Sequence, residues 1–100
     1  MEKDFLDLCF ERQNAIVTRR VAGEVILVPI DRRIPGEPSL YTLDPVAAFL
    51  WESLDGRETG RGIAGRLQEI YEVDSNQAEA DVRLFLEQLL SIQAIRSVPA

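Results

Sequence analysis

Ile16-Val17-Thr18-Arg19-Arg20-Val21-Ala22-Gly23-Glu24-Val25-Ile26-Leu27-Val28 is the stretch on which the fold turns. Its first six residues are rich in β-branched side chains and partly alternate, as a strand does. Ala22-Gly23 is short enough for a two-residue turn, and Gly23 tolerates the positive φ that such turns need. Val25 to Val28 is apolar on both faces. A strand of that kind is central, so a further strand is expected on its far side. Leu40-Tyr41-Thr42-Leu43 supplies it. Between the two lies Asp31 to Ser39, a loop, because Pro35-Gly36-Glu37-Pro38 cannot sustain a ladder.

Beyond Leu43 the pattern turns helical. Asp44 is a good N-cap and Pro45 a good first helical residue. The first helix is predicted from Pro45 to about Leu54, burying Val46, Phe49, Leu50 and Leu54 and stopped by Asp55-Gly56, with Gly56 as a left-handed cap. The second starts after Thr59 and ends near Tyr71, burying Ile63, Leu67, Ile70 and Tyr71. The third is capped by Asp74, with Gln77 completing a capping box, and runs to about Ser91. Its apolar stripe is Val82, Phe85, Leu86 and Leu89. Glu79, Arg83 and Glu87 recur at i+4 as a solvated, salt-bridged face. The class is therefore α+β, a three-stranded antiparallel sheet followed by three helices. Towards the N-terminus, Met1 to Asn14 fits either a short amphipathic helix or irregular chain packed by its apolar side chains. This divides the chain into an arm (1–15), a domain (16–96) and a tail (97–100).

Composition removes several chemistries. Among 100 residues there is no histidine and one cysteine. The usual general base at neutral pH is absent, and so is the commonest metal ligand. One cysteine closes no internal disulfide and builds no Cys-rich zinc site. No catalytic residue, metal site or cofactor is expected. The net charge of −6 opposes nonspecific nucleic-acid binding, which rests on Lys and Arg neutralising phosphates. No apolar run approaches the ~18 residues of a membrane span, and Met1 to Ala15 lacks a signal peptide's basic start and unbroken apolar region. A cytoplasmic location is the expectation.

Gly60-Arg61-Gly62-Ile63-Ala64-Gly65 matches the dinucleotide fingerprint letter for letter. That fingerprint works only between a strand and a helix of a parallel βαβ unit, and here a helix precedes it. It is better explained as a helix start weakened by glycine, which makes the second helix the least stable of the three. Cys9 is a small apolar residue of the arm, and Trp51 a partly buried core aromatic. Arg19-Arg20 and Arg32-Arg33 leave the strand half less acidic than the helix half, at −2 for residues 1–50 against −4 for residues 51–100.

The third strand has a free edge. Leu40, Tyr41, Thr42 and Leu43 carry no Lys and no internal Pro to blunt it, and free edges are pairing templates. Beside an apolar helix face, such an edge forms a groove in which an extended peptide gains backbone pairing and side-chain pockets. The same helical stripe is, at its simplest, ordinary core.

Val21-Ala22-Gly23-Glu24-Val25-Ile26-Leu27-Val28, Tyr41-Thr42-Leu43-Asp44, Ala48-Phe49-Leu50-Trp51-Glu52-Ser53-Leu54-Asp55-Gly56, Tyr71-Glu72-Val73-Asp74 and Ala80-Asp81-Val82 together resemble the PqqD-like family. The resemblance runs from about Ile16 to Ile95. It implies a three-stranded antiparallel sheet with a winged-helix-like three-helix bundle. It also implies a peptide chaperone without catalysis, a RiPP recognition element of the kind found in PQQ biosynthesis. Such a module binds the leader of a ribosomally made precursor and presents it to a modifying enzyme, often a radical S-adenosylmethionine protein. The implied peptide-binding residues are Leu40, Tyr41, Thr42 and Leu43 on the strand, with Val82, Phe85, Leu86 and Leu89 on the third helix.

Asp4-Phe5-Leu6-Asp7-Leu8 alternates acidic and bulky apolar residues, much as a bound leader would. Either the arm competes for the groove of its own or a neighbouring molecule, or it packs on the bundle or makes a homodimer contact. Packing is the simpler expectation. The alternative function is a winged-helix regulator that binds DNA. From Glu72 to Ser91 the chain has five carboxylates against Arg83 alone, which sets negative charge where a DNA reader needs positive. No nucleic acid and no membrane is expected as a partner.

Overall fold

The computed structural model describes residues 4–14, 16–29 and 41–98. Among these the architecture is α+β, with three helices and two three-stranded antiparallel sheets. The first sheet is built from β2 (Ile16–Val21), β3 (Glu24–Pro29) and β4 (Tyr41–Leu43), in the order β2-β3-β4. The apolar strand is central, as expected. Register runs Val21↔Glu24 through Val17↔Val28 across the hairpin and Val25↔Leu43 to Leu27↔Tyr41 on the other side. Ala22 and Gly23 both have positive φ, +52° and +82°, which closes the turn in the sense that matches strand twist.

The second sheet was not expected. It joins β1 (Cys9–Arg12), β5 (Asp55–Thr59) and β6 (Ile95–Val98) in the order β5-β1-β6. The presumed arm thus supplies a central strand, preceded by a 3-10 turn at Phe5–Asp7. Leu6 and Phe10 are fully buried in the same core as the helices. The sequence hides this sheet because β5 reads Asp-Gly-Arg-Glu-Thr, with little β-propensity. Asp55-Gly56 accordingly opens a strand. Gly56 keeps a positive φ there, opposite the irregular β1 register between Cys9 and Glu11.

The helices are α1 (Pro45–Glu52), α2 (Gly60–Tyr71) and α3 (Ser75–Ser91). Asp44, Thr59 and Asp74 cap them, each side chain accepting from the backbone N–H three residues on. The capping box on α3 is only half formed: the Gln77 backbone N–H donates to Asp74, but the Gln77 side-chain amide donates to Asp81 and does not accept from the Asp74 backbone N–H. Trp51 is 1% exposed, a full core residue, and its indole N–H donates to Thr18 Oγ1 at 2.9 Å. Ile63 and Leu67 are buried, but Ile70 and Tyr71 at the end of α2 are exposed. Glu79 and Arg83 do not bridge each other along α3. Glu79 accepts from Arg61, and Arg83 donates to Asp4.

Candidate functional site

The corner between sheet and helix is set by one polar residue. Asp44 caps α1 directly after β4, so strand and helix meet at a fixed corner. Register places Leu27 opposite Tyr41 and Val25 opposite Leu43, on the face that α1 covers. The last two turns of α3 then run beside β4. Between them lies an open groove of about 470 Å³. Leu27, Tyr41, Thr42 and Leu43 line it from the sheet, Asp44 and Ala47 from the start of α1. Phe85, Gln88, Leu89, Ser91 and Ile92 line it from α3.

Of the expected residues, the structure brings together Tyr41, Thr42, Leu43, Phe85 and Leu89 in this groove. Val82 and Leu86 are not among the lining residues. Both are 1% exposed and belong to the core stripe that starts at Ala78. Leu40 and the loop from Asp31 to Ser39 lie outside the described residues. Sequence reasoning missed Ile92 and Gln88. Phe85, Leu89 and Ile92 are spaced i, i+4, i+7, a stripe one position round the helix from Ala78, Val82 and Leu86, and that spacing was the available signal.

The two edges of this sheet differ. Among the described residues, β4 hydrogen-bonds to β3 alone, and its free edge carries Tyr41, Thr42 and Leu43 without a charge. The opposite edge, β2, carries Arg19 and Arg20. Arg20 reaches across to Glu52 on α1 as an ion pair. Charged edges resist pairing, whereas β4 is left as an open template beside an apolar helix flank.

The described part of the arm, residues 4–14, lies away from the groove. Leu6 and Leu86 both pack over Gly60, and Phe5 packs at a tilt against Phe10 with ring centroids 5.3 Å apart. Arg61 holds Asp4 at 2.6 Å, Asp7 at 3.1 Å and Glu79 at 2.7 Å. The hydrogen bond from Arg83 draws the Asp4 carboxyl below its usual range, with burial opposing and Arg61 assisting. The hydrogen bond to Asp7 raises Arg61 in turn. The backbone N–H of Arg57 lowers Asp55 on β5. Cys9 is an unpaired thiol in β1. Among the described residues no three His, Cys, Asp or Glu side chains converge as a metal site would require. Among the described residues no helix is long and apolar enough to cross a membrane.

Residues 24–95 match the family model of coenzyme PQQ synthesis protein D (PqqD). No curated protein sequence matches the chain. Solved structures that share its fold include two in complex with leader peptides. One is TbiB1 in complex with the TbiA(beta) leader peptide, with a TM-score of 0.73 and 22% identity over 90% of this chain and 99% of that one. The other is lasso peptide synthetase B1 complexed with the leader peptide, with a TM-score of 0.71 and 20% identity over 90% of this chain and 98% of that one.

Proposed function

The chain belongs to the coenzyme PQQ synthesis protein D (PqqD) family, and on that premise we propose that it binds the leader of a ribosomally made precursor peptide. The observation that carries this reading is the groove in which an uncharged strand edge faces an apolar helix flank. An extended leader pairs with the free backbone of β4 and adds a fourth strand to the sheet. Its alternate side chains enter the groove against Tyr41, Phe85, Leu89 and Ile92, so that pairing supplies affinity and side-chain fit supplies selectivity. Thr42 and Leu43 complete the strand side of this site. Val82 and Leu86, implied by the family pattern, support the helix from the core behind the groove.

The module does no chemistry of its own. It holds the leader while a separate enzyme modifies the rest of the precursor, a radical S-adenosylmethionine protein being the kind the family suggests. PQQ or another peptide-derived product is the outcome, in the cytoplasm. The order α1-β5-α2-α3-β6 supports a winged-helix-like reading of the helical half. The comparisons lend no support to DNA reading, and the five carboxylates from Glu72 to Ser91 oppose it.

Calorimetric titration with the leader segment of a precursor encoded near its gene tests the reading. Phe85→Ala is expected to weaken binding roughly tenfold, about 1.4 kcal/mol. Ile70→Ala, exposed on α2 and outside the groove, is expected to leave it unchanged. Equal affinities for the two variants contradict the assignment.

A further inference from the structure

The groove runs along α3 from Phe85 to Ile92, about 10 Å of helix rise. Strand β4 beside it has three residues, also about 10 Å. An extended peptide fills this length with about three or four residues, so a longer leader leaves the groove at both ends. One end leaves past Phe85. There α3 continues with Asp81, one turn before Phe85 on the same flank, and with Leu84 beside it. Helical spacing puts Gln77, Asp81, Leu84, Gln88 and Ser91 in one row along the outer flank of α3. Gln88 and Ser91 also line the groove, so groove and row form one continuous surface.

The row pairs one apolar side chain with one negative charge. Leu84 is 57% exposed, the most exposed large apolar side chain among the described residues. Asp81 is held in place by Gln77, whose side-chain amide donates to its Oδ1 at 2.8 Å. Among the described residues no Lys or Arg shares this row or lines the groove. Arg83, the basic residue of α3, faces the other way: it donates to Asp4 at 3.1 Å and lies over the Phe5 ring at 5.6 Å. The charged residue on the groove wall, Asp44, is also a carboxylate. A chain passing from groove to row thus meets negative charge throughout, which repels acidic side chains and draws basic ones.

We propose that the leader site extends past Phe85 onto this row, where Leu84 seats an apolar side chain of the leader and Asp81 pairs with a lysine or arginine two positions away. This rests on the leader-binding reading above and names the class of leader: one with an apolar and a basic residue at alternate positions just outside the segment that pairs with β4. The spacing follows from geometry. Side chains three apart on a helix lie about 5–6 Å from one another, close to the ~6.6 Å between alternate side chains of an extended chain. The occupant is the leader because the row continues the groove without a break and is one leucine wide, which fits a single extended chain. Backbone pairing at β4 is open to many sequences. The row discriminates among them by charge, so that of two leaders filling the groove equally well the one acidic at Asp81 is rejected.

The test is calorimetric titration of the full chain with the leader of the precursor encoded near its gene, and with versions in which each leader lysine or arginine is replaced in turn by glutamate. Asp81→Asn keeps the acceptor for Gln77 and removes only the charge. It is expected to bind the unaltered leader roughly threefold more weakly, with a smaller loss of affinity on adding salt. Leu84→Ala, on the exposed flank of α3, is expected to weaken binding roughly fivefold. One glutamate version is expected to bind wild type poorly and to recover affinity on Asp81→Lys. Phe85→Ala, measured in parallel, separates the two readings. If it weakens binding while Asp81→Asn and Leu84→Ala bind as wild type does, the extension is overturned and the groove stands. A leader without a basic residue that still binds wild type, or glutamate versions that all bind Asp81→Lys no better than wild type, overturns the extension as well. A wild-type chain that binds no leader, or whose affinity Phe85→Ala leaves unchanged, overturns the groove reading and the extension with it.

Discussion

At Gly60 the start of α2 comes so close to the N-terminal turn and α3 that a Cβ would lie 3.1 Å from Leu6 Cδ2 and 3.2 Å from Leu86 Cδ1. At Gly65 the same atom would meet nothing within 4 Å. Two of the three fingerprint glycines therefore have separate physical meanings, and phosphate is part of neither. Gly60→Ala is expected to destabilise the protein by about 1–3 kcal/mol through overpacking. Gly65→Ala is expected to stabilise it by roughly 1 kcal/mol through helix propensity. Urea unfolding at neutral pH separates the two signs. Thr18→Val, which takes the acceptor from the buried Trp51 indole, is expected to cost about 1–3 kcal/mol in the same assay. Local chemistry of this kind was well marked in the sequence. Asp44, Thr59 and Asp74 were all legible as caps, because capping depends on a side chain and a backbone three residues away. The contact that requires Gly60 was not, since its partner Leu6 lies 54 positions earlier in a segment with no clear pattern of its own.

Among the elements, the N-terminal turn is anchored by the buried Leu6 and fastened at its surface by charge. Asp4 titrates below its usual value of 3.8 because Arg83 and Arg61 hydrogen-bond its charged form. A depressed folded pKa means that this contribution is present above the unfolded value and is lost as pH falls through the lower, folded one. The ring-current shifts of Phe5 and Phe10 are therefore expected to hold steady from pH 7 to 5 and to move towards unpacked values below pH 3.8. Asp4→Asn should loosen the turn at pH 7 and remove that acid-induced change. A change that persists in Asp4→Asn assigns the acid sensitivity to another carboxylate. The hairpin and the three helices were legible because each carries its own period or turn signal. Strands β1, β5 and β6 were not. They are four or five residues long, and β1 finds its partners at positions 55–59 and 95–98. Pairing over such distances is decided by tertiary packing of Leu6, Phe10 and Ile95, which overrides weak local propensity.

Across the whole molecule the sheet β2-β3-β4 meets α3 as a groove at one edge. Half of the groove was legible as an unblunted edge strand. The helix side was legible only to within one position. Ala78-Val82-Leu86 and Phe85-Leu89-Ile92 are adjacent stripes on α3, and only the packed fold shows which of them faces the core. Recognition at β4 is the claim on which the rest depends. Its most direct test is an amide-shift titration of the full chain with the leader segment of a precursor encoded near its gene. Saturable shifts centred on Tyr41 to Leu43 and Phe85 to Ile92 are the predicted result. Shifts confined to β1, β5 and β6, with β4 and the end of α3 unmoved, contradict it.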